Sequence, residues 1–525
     1  MKTLGKRIAP ALLAAALIGI APMAQAQSSA WQALNKESIS LYQQGQYEAA
    51  RVKATEALRL AEKEIGMDNP ATNANLQLIA LASISLGRFD EAEGALKRSI
   101  AMIERAMGPD GSALGQPLAY YAALLSMRGR YVEAEPVARR ALTLTEKLSG
   151  PESERVAEAL DVLANTLERL GRPQESEPLR KRAVAIVEKL GGAQSPEVAY
   201  SLIGLVRVQT ELGRFAEAGA NSKRALAISE KSVGAEHPLT GLALTERGHL
   251  LLATNAWSDA DPVLQRALTV REKFGGPDNP ELLEVLAMAT TTASRLGDMA
   301  RAEKLALRQV AIAEKVFADK PPLASALSNL AMIYRAEKRY ADAHALYERA
   351  LKIVGATLGV DNPEYGLMLN NHAFLHNAQG QFKEAEPLFR RSLEIFVKAL
   401  GPMNPKTAAG ASNLCGNLRD QARYAEAEGY CRRALDVWLT TLGAEHPQVA
   451  IARFDIGRLR AAQGDQKGAE ALYRQALPVI EKSAGPQSAE VAEVLEALAE
   501  SVKAQGRATE AATLTKRAAA IRGAK

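Results

Sequence analysis

Apolar and small residues recur along the chain at helical spacing, in two segments per unit. Residues 361–405, DNPEYGLMLNNHAFLHNAQGQFKEAEPLFRRSLEIFVKALGPMNP, show the pattern: a segment begins at a proline, a Gly-Gln-Phe turn follows, and a longer segment ends at Gly401. In the first segments apolar residues fall three and four apart, as in Leu327, Leu330 and Ala331. This spacing places an apolar stripe along one side of a helix, so each unit predicts two helices joined by a turn.

The turn recurs at an almost constant interval. The interval is 42 residues, except for one of 41 between Gly297 and Lys338. A second series of glycines, running from Gly66 to Gly485, keeps step with the turns. A fixed period of this length predicts an all-α solenoid, here of about twelve repeats, in which each repeat packs only on its neighbours. The predicted turns lie near Gly45, Gly87, Gly129, Gly171, Gly213, Asn255, Gly297, Lys338, Gly380, Ala422, Gly464 and Gly506.

The ends of the predicted helices are marked by residue type. Prolines such as Pro363 and Pro405 suit the first position of a helix, where the missing N–H would have no partner in any case. The second segments open with an aromatic residue and keep a small residue three positions later, as in Phe382 and Ala385. A further proline register early in the second segments leaves two interpretations open, a helix that starts near it or a tolerated bend. Its members are Pro136, Pro178, Pro262 and Pro387.

Taken together, these markers resemble a known repeat. The order small-x-x-Leu-Ala, Gly-x-aromatic-x-x-Ala, then Ala or Ser seven residues later is similar to the tetratricopeptide repeat, and the Leu-Gly-Ala-Glu-His-Pro loop at 442–447 is similar to its kinesin-light-chain type. The resemblance implies a right-handed superhelix over residues 30–522, with the first helices lining a concave groove. Repeats four and seven depart from the pattern, at Pro173 and Ser176 and at Met299 and Gln309.

The first 26 residues have the composition of a secretory signal. A basic start is followed by an apolar run from Ile8 to Ala21 and by Ala24-Gln25-Ala26, which is typical of a cleavage site. We therefore predict cleavage after Ala26 and export, most simply to a bacterial periplasm. A retained membrane anchor is the alternative, but the apolar run is shorter than the roughly 20 residues that a spanning helix needs. Residues 27–29 would form a short lead-in and residues 523–525 a C-terminal tail.

Charge argues against nucleic acid as a partner. The formal net charge is +5, and removal of residues 1–26, which carry three basic residues and no acidic one, leaves +2. A protein that binds nucleic acid needs a clustered basic face. Past the signal, no stretch is long and apolar enough to predict a membrane span.

The two cysteines are predicted to face each other. Cys415 lies seven residues before the turn of repeat ten and Cys431 nine residues after it, so an antiparallel helix pair would bring them together. In an oxidising compartment such a pair forms a disulfide. The alternative is that both are small buried apolar residues.

The remaining candidate chemistry is sparse. His372 and His376 are four apart on one predicted helix face, but they replace Leu-type and Tyr-type packing positions and lack the further ligands of a zinc site. His237 and His446 lie in the Glu-His-Pro loops and are interpreted as turn residues. No phosphate-binding loop or nucleophile motif is present in the sequence. We therefore predict no metal, no cofactor and no enzymatic activity.

The predicted groove offers a better candidate site. Asn329, Asn371 and Asn413 are 42 residues apart on successive first helices, and Asp455 follows in the same row. Arg335, Asn370, Arg419 and Arg458 lie on neighbouring turns. In the kinesin-light-chain type, asparagine at this place resembles a ladder that contacts the backbone of an extended peptide, and an amide can both donate and accept. Alternatively, these asparagines satisfy local or inter-helix hydrogen bonds.

The sequence thus favours an exported scaffold that binds a protein or peptide segment in its groove. A structural assembly protein, self-associating or packed in an envelope complex, is the main alternative. A metal-binding protein or an enzyme is the more distant one, because chemistry requires positioned titratable groups.

Overall fold

A computed structural model of the chain describes residues 29–66, 69 and 72–523, and all the regular structure of this part is helical. The helices alternate between a first and a second helix of each repeat. The first helices are α1 (Ser29–Gln43), α3 (Asn73–Ser85), α5 (Gly115–Met127), α7 (Glu154–Arg169), α9 (Pro196–Glu211), α11 (Pro238–Ala253), α13 (Leu282–Arg295), α15 (Pro321–Ala336), α17 (Pro363–Ala378), α19 (Pro405–Asp420), α21 (Pro447–Ala462) and α23 (Ala489–Ala504). A 3₁₀ turn, Ser112–Leu114, precedes α5.

The second helices complete the repeats. They are α2 (Tyr47–Ile65), α4 (Phe89–Met107), α6 (Tyr131–Ser149), α8 (Pro173–Gly191), α10 (Phe215–Ser232), α12 (Trp257–Gly275), α14 (Met299–Phe317), α16 (Tyr340–Thr357), α18 (Phe382–Leu400), α20 (Tyr424–Leu442), α22 (Gln466–Ala484) and α24 (Ala508–Gly523). The prediction of an all-α solenoid of helix pairs is confirmed. The predicted signal segment lies outside the described residues.

The helix boundaries follow from residue chemistry. Pro363, Pro405 and Pro447 each occupy the first turn of their helix, where a proline costs no hydrogen bond. The residue before the proline caps the helix: Asn404 Oδ1 accepts from the backbone N–H of Lys406 at 2.8 Å.

The turns between paired helices require a left-handed backbone. All twelve turn positions have positive φ, including the non-glycine residues Asn255, Lys338 and Ala422 at 55°, 62° and 60°. Glycine adopts this conformation without a side-chain clash, which explains its dominance at the turn. Pro136, Pro178, Pro262 and Pro387 lie inside the second helices, so those helices begin before the proline.

The described residues form two compact units. The first comprises those up to Arg169 together with Leu179–Gly192, and the second comprises Leu170–Pro178 and those from Ala193 onward. In the first unit, Leu76 and Leu96 belong to an apolar cluster between α1 and α5. In the second unit, successive apolar clusters run along the row of helix pairs, and fully buried alanines such as Ala343 belong to them.

Within the second unit the two helix layers differ in their contacts. Each second helix from α10 to α22 contacts the first helices on either side of it in the chain, whereas several first helices also contact the next first helix directly, as α9 does α11 and α15 does α17. In a curved row of helix pairs the more closely spaced layer lies on the inner side. The first helices therefore form the inner face of the second unit, which we call the first-helix face.

An ion pair between neighbouring repeats recurs along the chain. A glutamate six residues after one turn pairs with the arginine directly after the next turn, as Glu303 does with Arg339 at 2.7 Å and Glu386 with Arg423 at 2.6 Å. Further instances are Glu93–Arg130, Glu177–Arg214 and Glu470–Arg507. Each pair links one repeat to the next through a largely buried glutamate and a more exposed arginine.

Among the described helices, none combines the length and the apolar character that crossing a bilayer demands.

Candidate functional site

The asparagine row lies on three successive first helices, α15, α17 and α19. Asn329, Asn371 and Asn413 are all half-buried, and each side-chain nitrogen donates to a side chain of the preceding repeat. The acceptors are Gln309 Oε1 at 3.1 Å for Asn329, Ser328 Oγ at 3.1 Å for Asn371 and Asn370 Oδ1 at 2.8 Å for Asn413. The donor half of each amide thus ties neighbouring repeats together.

The acceptor half of each amide in the row is different. Among the described residues, no hydrogen bond is donated to the Oδ1 atoms of Asn329, Asn371 and Asn413. Each carbonyl oxygen retains its capacity to accept from a ligand N–H. The arrangement therefore combines a structural role for the nitrogens with a set of acceptors on consecutive repeats.

The row continues toward the C-terminus as charged side chains. Arg419 on α19 lies 3.4 Å from Asp455 Oδ1 on α21 and also contacts Asp420 at 2.9 Å. Burial raises the pKa of Asp455 above its ordinary value, while Arg419 opposes the shift. The predicted site residues Arg419 and Asp455 are therefore brought together.

The other two arginines of the predicted site lie beside aromatic rings, and the charge of Arg458 also acts on Asp455. The Arg335 guanidinium lies 6.0 Å from the centroid of the Phe374 ring, and Arg458 lies 5.8 Å from the Phe454 ring and 3.6 Å from a carboxylate oxygen of Glu493. Both guanidinium groups are held over aromatic rings of the first-helix face, an arrangement stabilised by cation–π attraction.

The two cysteines lie in the core of repeat ten, 1% exposed each. Cys415 on α19 and Cys431 on α20 are joined by a disulfide bond, with Cα atoms 5.5 Å apart. Other repeats place a small residue opposite a large one at these two positions, as Gly457 opposite Tyr473. Two cysteines, each of intermediate size, take the place of such a pair of one small and one large residue.

Three histidines meet at the junction of repeats eight and nine. His344 lies on α16, His372 and His376 lie on α17, and one ring nitrogen from each lies within 4.8 Å of the others. His344 Nδ1 is 2.8 Å from His372 Nε2, and the Tyr347 ring stacks on His372 with 5.4 Å between centroids. Burial, and after it the neighbouring imidazoles, lowers the pKa of His372 to about 4. Burial and His376 likewise lower the pKa of His344.

Sequence reasoning missed several of these residues. Sequence spacing does not join His344 to His372 and His376, because it belongs to the preceding repeat, although its position six residues after a turn is one that glutamate occupies elsewhere. Gln309 appeared only as a departure from the repeat pattern, yet it is the partner of Asn329. His237 and His446 prove to be helix caps, whose Nδ1 atoms accept from Leu239 and Gln448 at 3.1 Å.

The helix pairs, the left-handed turns and the first-helix face define a helix-pair repeat protein of the scaffold class. Family comparison specifies the class. A MalT-like TPR region matches residues 115–324, and two families described as tetratricopeptide repeat match residues 406–482 and residues 76–112, 323–364 and 367–405. The chain belongs to the tetratricopeptide repeat superfamily, whose members typically act as scaffolds in protein–protein interaction.

Several solved structures are similar to the chain at low sequence identity. BtubC (BKLC) from P. vanneervenii is 23% identical, with a TM-score of 0.39 over 43% of this chain and 91% of that one. A Podosopora anserina putative kinesin light chain repeat protein is 23% identical, with a TM-score of 0.34 over 38% of this chain and 94% of that one. Rap protein complexed with competence and sporulation factor is 15% identical, with a TM-score of 0.47 over 70% of this chain and 98% of that one. No curated protein matches the chain.

Proposed function

We propose that the chain binds an extended segment of another protein along the first-helix face of repeats eight to eleven, and that it acts without enzymatic chemistry. The observation that carries the proposal is the set of available Oδ1 acceptors on Asn329, Asn371 and Asn413, one on each of three successive first helices. An extended segment that crosses these three helices can donate one backbone N–H to the acceptor of each repeat.

Charged and aromatic groups beside the row supply side-chain selectivity. Arg335 and Arg458 lie over Phe374 and Phe454, so a ligand meets both a cation and a ring edge there. Arg419 is shared between Asp420 and Asp455, and Arg458 lies 3.6 Å from Glu493, so both are weaker attractors for acidic groups than Arg335. A segment with acidic side chains flanked by apolar ones fits this surface.

The test is a peptide-display selection against the full chain, followed by measurement of the dissociation constant of a selected peptide. Simultaneous substitution of Asn329, Asn371 and Asn413 by alanine is expected to weaken binding about 100-fold, because three hydrogen bonds of about 1 kcal/mol each are lost. Asn221→Ala is the control, since Asn221 on a second helix also donates to a glutamine side chain, Gln209 at 2.9 Å, but within one repeat and away from the row.

Circular dichroism must show unchanged helicity in both variants. Equal affinity of the triple variant and the wild type would remove the row from recognition and leave the three asparagines with their inter-repeat bonds alone. Concentration-dependent self-association without any selected peptide would favour the assembly role.

We further propose that the protein works in the bacterial envelope after export and cleavage following Ala26. The support is the signal-like composition of residues 1–26 and the disulfide, a bond that is typical of oxidising compartments. Fractionation of a bacterium that expresses the full sequence, with mass measurement of the product, tests this. A periplasmic product that begins at Gln27 is expected, and an uncleaved product in the cytoplasm would refute it.

A further inference from the structure

The junction of repeats eight and nine breaks the recurring ion pair described above. At this junction the glutamate position is occupied by His344 and the arginine position by Gln381, so neither charge of the pair is present. The junctions on either side keep the pair, as Glu303–Arg339 and Glu386–Arg423. The exchange replaces a charged contact with a neutral imidazole, which carries a nitrogen lone pair, and a neutral amide.

Two apolar packing positions change at the same junction. His372 takes the place that Leu330 and Leu414 occupy in the neighbouring repeats, and His376 takes the place of a tyrosine or leucine. A buried polar group without a partner destabilises the fold, and the Nδ1 atom of His372 is buried with no hydrogen-bond partner in the described residues. Packing therefore does not explain the histidines, because leucine fills the same place in other repeats without that penalty.

The outer nitrogens of the cluster are held by glutamines. His376 Nδ1 lies 2.8 Å from Gln381 Oε1, which places the proton on Nδ1 and leaves the lone pair on Nε2. Gln379 Nε2 lies 2.8 Å from His344 Nε2. A half-turn of the Gln379 amide would present its oxygen there, shift the proton of His344 to Nε2 and free the Nδ1 lone pair. Such outer contacts orient histidine ligands in metal sites.

We propose that His344, His372 and His376 bind one Zn²⁺ ion through His344 Nδ1, His372 Nε2 and His376 Nε2, with the fourth position open to water. The assignment rests on the convergence of one nitrogen from each ring within 4.8 Å, with His344 Nδ1 and His372 Nε2 only 2.8 Å apart. Two nitrogens at about 2.0–2.1 Å from one tetrahedral zinc ion are separated by about 3.4 Å. The observed nitrogen–nitrogen distances, 2.8 Å for the nearest pair and up to 4.8 Å for the set, lie on either side of this value.

Ligand chemistry favours zinc over harder ions. Imidazole nitrogen suits zinc, copper and nickel, whereas magnesium and calcium prefer oxygen ligands. The ion would link α16 of repeat eight to α17 of repeat nine, the helix that also carries Asn371. The zinc site is independent of peptide binding, and its test does not require a peptide.

The test is calorimetric titration of ZnCl₂ into the full chain, purified without a histidine tag and freed of metal with a chelator. One ion per chain is expected. His372→Leu and His376→Leu restore residue types found at these positions in neighbouring repeats, and each is expected to weaken binding at least 100-fold. Gln381→Ala removes an outer contact and should weaken binding about 10-fold.

His237→Asn is the matched control, since asparagine caps α17 and α19 at the equivalent place. It should leave zinc affinity unchanged. The proposal fails if the wild type shows no stoichiometric binding, or if both leucine variants, folded by circular dichroism, bind zinc as tightly as the wild type. His344→Gln removes the ligand that comes from the other repeat, and it is also expected to weaken zinc binding.

Discussion

At the scale of the single residue, close packing between paired helices determines which side chains are allowed. Gly457 on α21 faces Tyr473 on α22, and a Cβ atom at residue 457 would lie 2.5 Å from Tyr473 Cε1. The ring is 1% exposed and has little room to move. Here glycine is required by its small size and not by its backbone conformation.

Gly457→Ala is therefore expected to destabilise the protein by about 1–3 kcal/mol, the usual cost of overpacking. Gly416→Ala is the control, since a Cβ there meets nothing within 4 Å and alanine favours a helix over glycine by about 0.5–1 kcal/mol. Thermal unfolding followed by circular dichroism should show opposite shifts. The double variant Gly457→Ala with Tyr473→Leu should recover part of the loss, and a loss unaffected by Tyr473→Leu would contradict the steric explanation.

At the scale of the helix pair, the disulfide of repeat ten adds a covalent link between α19 and α20. It joins residues 16 apart in sequence. In the chain-entropy model, a disulfide that closes a loop of that length in the unfolded chain stabilises the folded protein by about 3 kcal/mol. The two sulfurs are buried, so a reductant reaches them only through opening of the repeat.

Protein reduced in denaturant and refolded in the presence of reductant should unfold at a lower denaturant concentration than oxidised protein, corresponding to about 2–4 kcal/mol. A variant with Cys415→Ala and Cys431→Phe copies the Ala373–Phe389 pair of repeat nine and should be indifferent to reductant. If that variant also responded to reductant, the effect would have to arise outside the disulfide.

The ion pairs between repeats predict an acid limit to stability. The hydrogen bond from Arg507, opposed by desolvation and aided by Arg474 and Gln505, lowers the pKa of Glu470 to about 2. The carboxylate therefore contributes stability above its unfolded pKa near 4.5, and that contribution is lost as the pH falls toward 2. Melting temperature measured from pH 7 to pH 3 should fall below about pH 4.5 less steeply in Glu470→Gln than in the wild type. If the melting temperatures of the two proteins fell in parallel with pH, the Glu470–Arg507 pair would contribute nothing to stability.

At the scale of the whole chain, residues far apart in sequence meet within the second unit. His446, which caps α21, places its Nε2 atom 3.2 Å from the backbone oxygen of Glu211, 235 residues away. The turn at Gly171 also lies against a distant loop, the one before α19. A Cβ atom added at residue 171 would be 2.1 Å from Pro405 Cδ. These contacts join repeats that a purely nearest-neighbour solenoid would leave apart.

Gly171→Ala is expected to cost more than Gly380→Ala. Both glycines have nearly equal positive φ, 73° and 74°, so both variants bear the same left-handed strain of about 1–2 kcal/mol. Only residue 171 meets another loop, so Gly171→Ala should add a further 1–3 kcal/mol and increase hydrogen exchange at the loop around Asn404. Equal destabilisation and equal exchange in the two variants would show that the contact does not form in solution.

The sequence by itself determined the repeat, the turns and the helix starts that a proline marks. These depend on local chemistry: proline at helix starts, glycine at left-handed turns, and apolar residues at helical spacing, each read within one 42-residue unit. The sequence also predicted that Cys415 faces Cys431, because the two lie in one repeat, seven residues before the turn and nine residues after it.

Only the tertiary structure decided which residues meet across repeats. The acceptors of the asparagine row, the third histidine at residue 344 and the contact of His446 with Glu211 all depend on how one helix pair is set against another. Periodicity gives the sequence spacing of repeats but not their rotation. The inter-repeat rotation is set by the summed packing of many side chains, and it alone determines which polar atoms come within hydrogen-bond distance.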